Sequence, residues 1–256
     1  MALKLNLPNE YIRIDGHKIP FYSERYGRNT EQMPRLRADG RVPMNIAQLM
    51  QRRLDVGNSD SKVKTAWMDN YFDTDDGVAY HPETKDWLID LDSETLRGIH
   101  PNPKKLSNGA WLLGKDKDEA FAIYEQIKNK PTSALIEAKY LRNVNKQMSR
   151  KDVKADPVWK VLARDQGLLN DYTDYIFGEG KQRFNYDAAM GVFPDSAGDQ
   201  PKMGAWCVGR LVYRSDACGG DVLDDDLGRL VGIAPEALSV PDKGASNVQR
   251  YTMEDL

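Results

Sequence analysis

Residues 11–22 read YIRIDGHKIPFY and carry the clearest local signal in the chain. Asp15 and Gly16 supply the pair of positive-φ residues that a type I′ turn requires, and the flanking residues are mostly β-branched or aromatic. The stretch therefore predicts a β-hairpin. Pro20 has no N–H to donate, so it places its strand at the edge of a sheet.

A second hairpin is predicted near the other end of the chain, from strands at 205–214 and 229–233 joined by an acidic, glycine-rich connection. Between the two hairpins, apolar residues recur mainly at helical spacing. The pattern predicts helices over 61–72, 116–131, 135–148 and 156–178, short strands near 77–80, 87–91 and 110–113, and a long loop over 24–42. The predicted fold class is α+β, with β-hairpins near both ends of the chain and a mainly helical middle.

The domain organisation is predicted as a single α+β domain over residues 1–256. The segment 98–108 holds two prolines and no apolar pattern, so a subdivision into 1–98 and 109–234 is the alternative. Residues 235–256 are polar and aperiodic and are expected to form a C-terminal arm.

Composition excludes several classes of protein. The chain has 256 residues, of which 40% are hydrophobic and 29% charged. No apolar run reaches the length of a membrane-spanning helix, and the first residues lack the apolar core of a secretory signal. With only Cys207 and Cys218, no disulfide framework is expected, although the two could bridge across a hairpin. We therefore expect a cytoplasmic protein that does not bind membranes.

The formal net charge of −3 conceals a gradient along the chain. Residues 1–64 carry a net charge of +5, residues 65–164 a net charge of 0, and residues 165–256 a net charge of −8. Two interpretations remain open. The basic and acidic ends pair within the fold, or they present faces of opposite potential to another copy of the chain or to a protein partner.

Seven arginines near the start could bind an anion such as phosphate, because a guanidinium donates two parallel hydrogen bonds. The candidate anion-binding residues are Arg25, Arg28, Arg35, Arg37, Arg41, Arg52 and Arg53. Acidic residues interrupt the group, which favours pairing with the acidic third of the chain over a nucleic-acid site. Nucleic acid is also disfavoured at 159–177. This segment has partial helix-turn-helix spacing, but its would-be recognition helix carries Asp171 and Asp174 and no basic residue.

Acidic clusters offer the only candidate metal ligands, since carboxylates could hold a hard cation. The candidates are Asp73, Asp75, Asp90, Asp92, Asp116 and Glu137. Glu137-Ala138-Lys139 resembles the Glu-x-Lys core of restriction-endonuclease-like nucleases, which would imply magnesium held by two acids. That arrangement needs a strand, whereas the surrounding composition favours a helix, and Asp116 is explained as a helix cap.

The sequence lacks a nucleophile elbow, a dinucleotide-binding glycine motif and a P-loop, and it requires no cofactor. Whether the chain is an enzyme stays open. The leading hypothesis is a non-catalytic interaction or structural protein with a basic N-terminal and an acidic C-terminal region. The alternative is a metal-dependent hydrolase or nuclease acting on phosphate esters or nucleic acid.

Overall fold

A computed structural model describes residues 11–14, 17–59, 61–194, 198–221, 223–238 and 250–251. The helices are α1 (Asn29–Ala38), α2 (Ile46–Asp55), α3 (Ser61–Met68), α4 (Glu94–Arg97), α5 (Lys117–Lys128), α6 (Arg150–Ala155), α7 (Pro157–Ala163), α8 (Gln166–Phe184) and α9 (Pro235–Leu238). The strands are β1 (Tyr11–Ile14), β2 (His17–Pro20), β3 (Tyr22–Tyr26), β4 (Val42–Pro43), β5 (Phe72–Tyr80), β6 (Trp87–Asp90), β7 (Leu106–Ser107), β8 (Ala110–Leu112), β9 (Ser133–Ile136), β10 (Lys146–Met148), β11 (Met190–Phe193), β12 (Lys202–Val208), β13 (Ala217–Asp221), β14 (Arg229–Ile233) and β15 (Arg250–Tyr251).

Within the described residues, a mixed sheet of 12 strands organises the molecule, with the order β10-β11-β13-β12-β5-β14-β3 along its main path. The strand β12 pairs antiparallel with both β13 and β5, while β14 runs parallel to β5. The remaining strands of this sheet, β4, β6, β7, β8 and β9, extend it off that path, and β15, β1 and β2 form a separate three-stranded sheet.

The described residues form two hydrophobic cores, one on each face of the large sheet. The first contains Trp67, Trp159 and Trp206, all fully buried, together with the apolar sides of α2, α7 and α8. The second contains Met203 and the apolar sides of α1, α4 and α5. Because side chains alternate along a strand, neighbouring residues of β12 enter different cores. Among the described residues, no helix is both long and apolar enough to cross a membrane.

The mixed α+β class is confirmed, whereas the layout with one hairpin at each end is not. Strands β1 and β2 do pair antiparallel, with Ile14 opposite His17, and the turn residues 15 and 16 lie outside the described residues. Near the other end, 205–214 and 229–233 do not pair with each other, because β5 lies between β12 and β14. The acidic connection instead contributes β13, which pairs antiparallel with β12, and the chain then passes β12 and β5 to reach β14.

Two further predictions were wrong for identifiable reasons. The segment 135–148 contains β9, a short 3-10 turn and β10, because pairing of Ser133–Ile136 with β6 overrides the helical spacing of its apolar residues. The predicted loop 24–42 contains α1, which lacks a strong amphipathic pattern and is stabilised by Met33 and Leu36 in the second core. Asp116 does cap α5, accepting a hydrogen bond from the N–H of Glu119.

Candidate binding site

A pocket of about 320 Å³ opens at the end of the central strands, and three of its floor residues stand in one row. Asp73 of β5 lies opposite Cys207 of β12, and Cys207 lies opposite Cys218 of β13. Trp206 and Val208 flank Cys207 and belong to the first core, so Cys207 points to the other face of the sheet. These three residues therefore line the pocket and do not belong to the first core.

The first wall of the pocket is the connection from β12 to β13, including Gly209, Arg210, Tyr213 and Arg214. Tyr213 is 66% exposed, and the guanidinium of Arg210 lies 4.4 Å from the centre of its ring. A Cβ atom at Gly209 would approach the carbonyl oxygen of Arg214 to 2.8 Å, so the wall closes this tightly only with glycine at that position. The result is an exposed aromatic side chain on a tightly closed loop.

Hydrogen bonds from β10 and from the connection that follows α8 hold the first wall in place. The hydroxyl of Tyr186 donates to the carbonyl oxygen of Val212 at 2.6 Å, and the guanidinium of Arg214 stacks on the Tyr186 ring. The side chain of Gln147 donates to both carboxylate oxygens of Asp216, at 2.9 and 3.1 Å. Burial raises the pKa of Asp216 to about 6, so this carboxylate is ionised at neutral pH and gains protons in mildly acidic solution.

The second wall comes from Tyr71 and from the turn that precedes β14, with Asp225 and Leu227. The Tyr71 hydroxyl donates to the carbonyl oxygen of Leu227, whose own side chain is 62% exposed. Beneath this wall, the guanidinium of Arg229 lies 5.2 Å from the Tyr71 ring centre. The backbone N–H of Arg229 donates to the Asp73 carboxylate at 2.7 Å, which ties the second wall to the floor.

Arg53 joins the two walls from inside the protein. Its guanidinium is fully buried and donates to the carbonyl oxygens of Gly209 and Asn70, which lead into the first and second walls. It also donates to the Ser215 hydroxyl at 3.0 Å, to the Tyr172 hydroxyl at 2.9 Å, and to a carbonyl oxygen of α3. Five hydrogen bonds from one planar group thus fix the separation of the walls.

Among the described residues, the carboxylates spaced closely enough to hold a metal ion are Asp75, Asp76 and Asp92, with ligand oxygens within 4.8 Å of one another. Arg97 pairs with Asp75 at 2.7 Å, and Arg164 bridges Asp76 and Asp92 at 2.7 and 2.6 Å. Arg164 has a φ of 62°, which ends α7 and directs its side chain to these acids. Two guanidinium groups therefore occupy the positions beside the carboxylates that a cation would take.

Three carboxylates against two guanidinium groups leave one excess negative charge in a buried cluster. Burial, followed by the repulsion of Asp76, raises the pKa of Asp75 to about 7 in spite of Arg97. Burial also raises the pKa of Glu24 to about 7. Since these folded-state pKa values exceed the ordinary ones, the folded protein binds more protons than the unfolded chain between about pH 4 and 7.

We expect the free energy of unfolding to fall as pH rises from 5.5 to 8, because the folded-state protons are lost in that window. Asp75→Asn removes one of these groups while retaining an oxygen for Arg97. The variant should show a flatter pH profile and exceed the wild type in stability at pH 8 by about 1–2 kcal/mol. Urea unfolding at both pH values measures this, with the exposed Asp226→Asn as the control. An unchanged profile for Asp75→Asn would show that Asp75 is ionised throughout.

The other candidate metal ligands lie apart. Asp90 accepts hydrogen bonds from the hydroxyls of Ser93 and Ser133 and lies 3.4 Å from the Lys130 ammonium group. Asp73 belongs to the pocket floor, Asp116 caps α5, and the Glu137 carboxylate pairs with Lys139 at 2.8 Å. Of the six predicted metal ligands, only Asp75 and Asp92 have carboxylates in the same cluster, which also includes Asp76.

The seven arginines occupy separate environments rather than one site. Arg52 is buried and stacks over Tyr22 and Trp67, and Arg53 lies beneath the pocket. Arg28 pairs with Asp226 at 2.8 Å, which joins the basic and acidic ends of the chain as one of the two interpretations of the charge gradient expects. Arg25 pairs with Asp39. Arg37 donates to the carbonyl oxygen of Arg97, and Arg41 donates to that of Pro20. Arg35 is exposed.

Comparison with known proteins gives the fold a name. No protein-family model matches the sequence, and no curated protein matches it. A solved structure described as "Accommodation of massive sequence variation in Nanoarchaeota by the C-type lectin fold" is similar, with a TM-score of 0.59 and 14% identity over 90% of this chain and 100% of that one. The chain therefore has a fold similar to that of C-type lectins.

The sequence did not reveal the first wall, because Arg210, Tyr213 and Arg214 fall inside the predicted strand 205–214. One signal was available. Gly209 interrupts that strand, and a glycine inside a strand pattern marks a bulge or a close backbone approach. The strand does end at Val208, directly before that glycine.

Proposed function

We propose that this chain is a non-catalytic binding protein whose pocket holds part of a peptide or protein ligand. The observation that carries the proposal is the pocket itself, whose volume of about 320 Å³ lies within the range of natural ligand sites. Its walls expose tyrosine, arginine and leucine side chains on loops that buried hydrogen bonds hold in place. A preformed site loses little conformational entropy when a ligand binds.

The chemistry of the walls favours a protein ligand. Tyrosine and arginine are enriched among the residues that dominate binding energy at protein interfaces, and Tyr213 and Arg210 stack on each other at the pocket rim. The lining also carries both signs of charge, with two arginines and three aspartates, Asp73, Asp216 and Asp225. A peptide can complement both signs and fill the apolar part with a side chain.

The structural neighbour adds support of a general kind. In that protein the C-type lectin fold accommodates massive sequence variation. We infer that a fold of this type can keep its cores while the residues of a binding surface differ. In this chain Arg210, Tyr213 and Leu227 lie outside both cores, as such a surface would require.

The alternative of a metal-dependent hydrolase is not proposed. It would use the carboxylates of Asp75, Asp76 and Asp92, whose oxygens already form ion pairs with Arg97 and Arg164. A cation would have to displace two guanidinium groups that the fold holds in place.

The proposal is tested with a random peptide library displayed on phage and selected on the immobilised wild-type chain. The strongest selected peptide is then titrated against Tyr213→Ala and Arg210→Ala. We expect the affinity to fall about thirty-fold for Tyr213→Ala, the effect of losing an aromatic side chain that contributes strongly to the binding energy of an interface.

Tyr140→Ala is the matched control, because Tyr140 is also exposed and is also covered by a cation, the Lys139 ammonium group at 4.9 Å. Tyr140 does not line the pocket. Its replacement should leave the affinity unchanged. Equal losses for the two tyrosine variants, or no loss for either, would refute the pocket as the ligand site.

A further inference from the structure

Two cysteine side chains share the pocket floor at directly opposite positions of neighbouring strands. Cys207 pairs with Cys218 across β12 and β13, and both line the pocket. Both are in the thiol form in this structure. The floor therefore carries two sulfur atoms on one face of the sheet, within one ligand-accessible cavity.

The strand geometry brings this pair to the separation of a disulfide. The N–H of Gly209 donates to the carbonyl oxygen of Asp216 at 2.8 Å, and this pair lies two residues further along the same register. By the alternation of an antiparallel ladder, Cys207 and Cys218 are also a hydrogen-bonded pair, for which the Cα atoms are about 5.5 Å apart. Disulfides most often join Cα atoms about 5.5–6 Å apart.

We propose that Cys207 and Cys218 form a reversible disulfide, which makes the pocket floor a redox-modification site that reacts with low-molecular-weight disulfides such as oxidised glutathione. Directly opposite residues have Cβ atoms about 4.5–5.5 Å apart, wider than the 3.5–4.5 Å of a relaxed disulfide. The bond must draw the two strands slightly together. A strained disulfide is easier to reduce, so the bond is suited to a reversible role.

The burial of the two thiols sets the order of reaction. Cys218 is half-buried and opens on to the pocket, whereas Cys207 is only 5% exposed. The Cys218 thiolate attacks one sulfur of oxidised glutathione, the glutathione S–S bond breaks, and one glutathione thiolate leaves. The Cys207 thiolate then attacks the Cys218 sulfur and releases the second glutathione. The protein loses two electrons and two protons, and two molecules of reduced glutathione form.

The bond would constrain the first wall of the pocket. It closes the segment 208–217, which carries Arg210, Tyr213, Arg214 and Asp216. Oxidation would thus rigidify the residues proposed to contact the ligand. The formation of the bond can nevertheless be tested without any ligand, so its outcome is independent of the proposed function.

The test treats the folded full chain with oxidised glutathione at pH 8, where ordinary thiols are partly ionised. Intact mass spectrometry should show the loss of two hydrogen atoms and no retained glutathione, and dithiothreitol should restore the starting mass. The melting temperature of the oxidised protein should rise by roughly 5 °C, because the bond closes a short loop.

Two single variants separate the roles of the thiols. Cys207→Ser should retain one glutathione on Cys218, because the resolving thiol is absent. Cys218→Ser should react far more slowly, because its remaining thiol is buried. Three outcomes would overturn the proposal: no reaction of the wild type, a stable glutathione adduct on the wild type, or a disulfide between two copies of the chain.

Discussion

Replacing Arg53 by methionine is expected to lower the free energy of unfolding by about 3–5 kcal/mol and the melting temperature by about 10 °C. The guanidinium is fully buried and donates five hydrogen bonds to Trp67, Asn70, Tyr172, Gly209 and Ser215. Methionine fills a similar volume but donates none, so buried oxygen acceptors lose their partner. Urea unfolding followed by circular dichroism measures the loss.

The control for this variant is Arg35→Met, which makes the same change at an exposed position of α1. Its effect should stay below about 0.5 kcal/mol. A loss for Arg53→Met as small as that of the control would mean that other donors replace the guanidinium. In that case Arg53 would not be the residue that fixes the pocket walls.

Asp76→Ala is expected to have the second large effect, also about 3–5 kcal/mol. The fully buried carboxylate accepts from the N–H of Ile46 at 2.9 Å, from the N–H of Asp92 at 3.0 Å and from the guanidinium of Arg164 at 2.7 Å. Its loss leaves the first N–H of α2 without its acceptor and removes one of the two carboxylates that neutralise Arg164. Chemical unfolding of the purified variant gives the value.

The matched control is Asp226→Ala, because Asp226 also forms an ion pair, with Arg28, but its side chain is 79% exposed. Exposed ion pairs stabilise proteins by less than about 1 kcal/mol, so this variant should resemble the wild type. The contrast tests whether burial, and not the presence of a salt bridge, decides the effect. Similar losses for both aspartates would contradict that explanation.

The sequence predicted those parts of the fold that depend on local signals. The pattern predicts helices that begin at 116 and 156, and both Asp116 and Asp156 accept hydrogen bonds from backbone N–H groups at the starts of α5 and α7. The antiparallel pair β5 and β6 follows the predicted strands around His81. Local signals of this kind hold because the groups involved lie within a few residues of each other.

Local sequence signals do not predict which strands pair when they lie far apart in the sequence. Nothing near Val208 indicates that β5, more than a hundred residues earlier, pairs with β12 and separates it from β14. The strand β9 shows the same limit, since β6 imposes a strand on residues with helical spacing. The mixed sheet is therefore a product of tertiary packing.

The candidate site was hidden for the same reason. Its floor residues Asp73, Cys207 and Cys218 come from three strands, and its support, Arg53, comes from a helix far away in the sequence. Arg53 stood in the predicted anion-binding group because its charge is visible in the sequence while its burial is not. Its position beneath the pocket became evident only from the fold.

The most direct test of the account is a hydrogen-exchange footprint of the strongest selected peptide on the wild-type chain. Amide exchange should become slower at 208–217 and 223–229, the two walls of the pocket, with α5 unchanged as an internal reference. Slower exchange confined to other surfaces, with both walls unchanged, would contradict the claim that this pocket is the ligand-binding site.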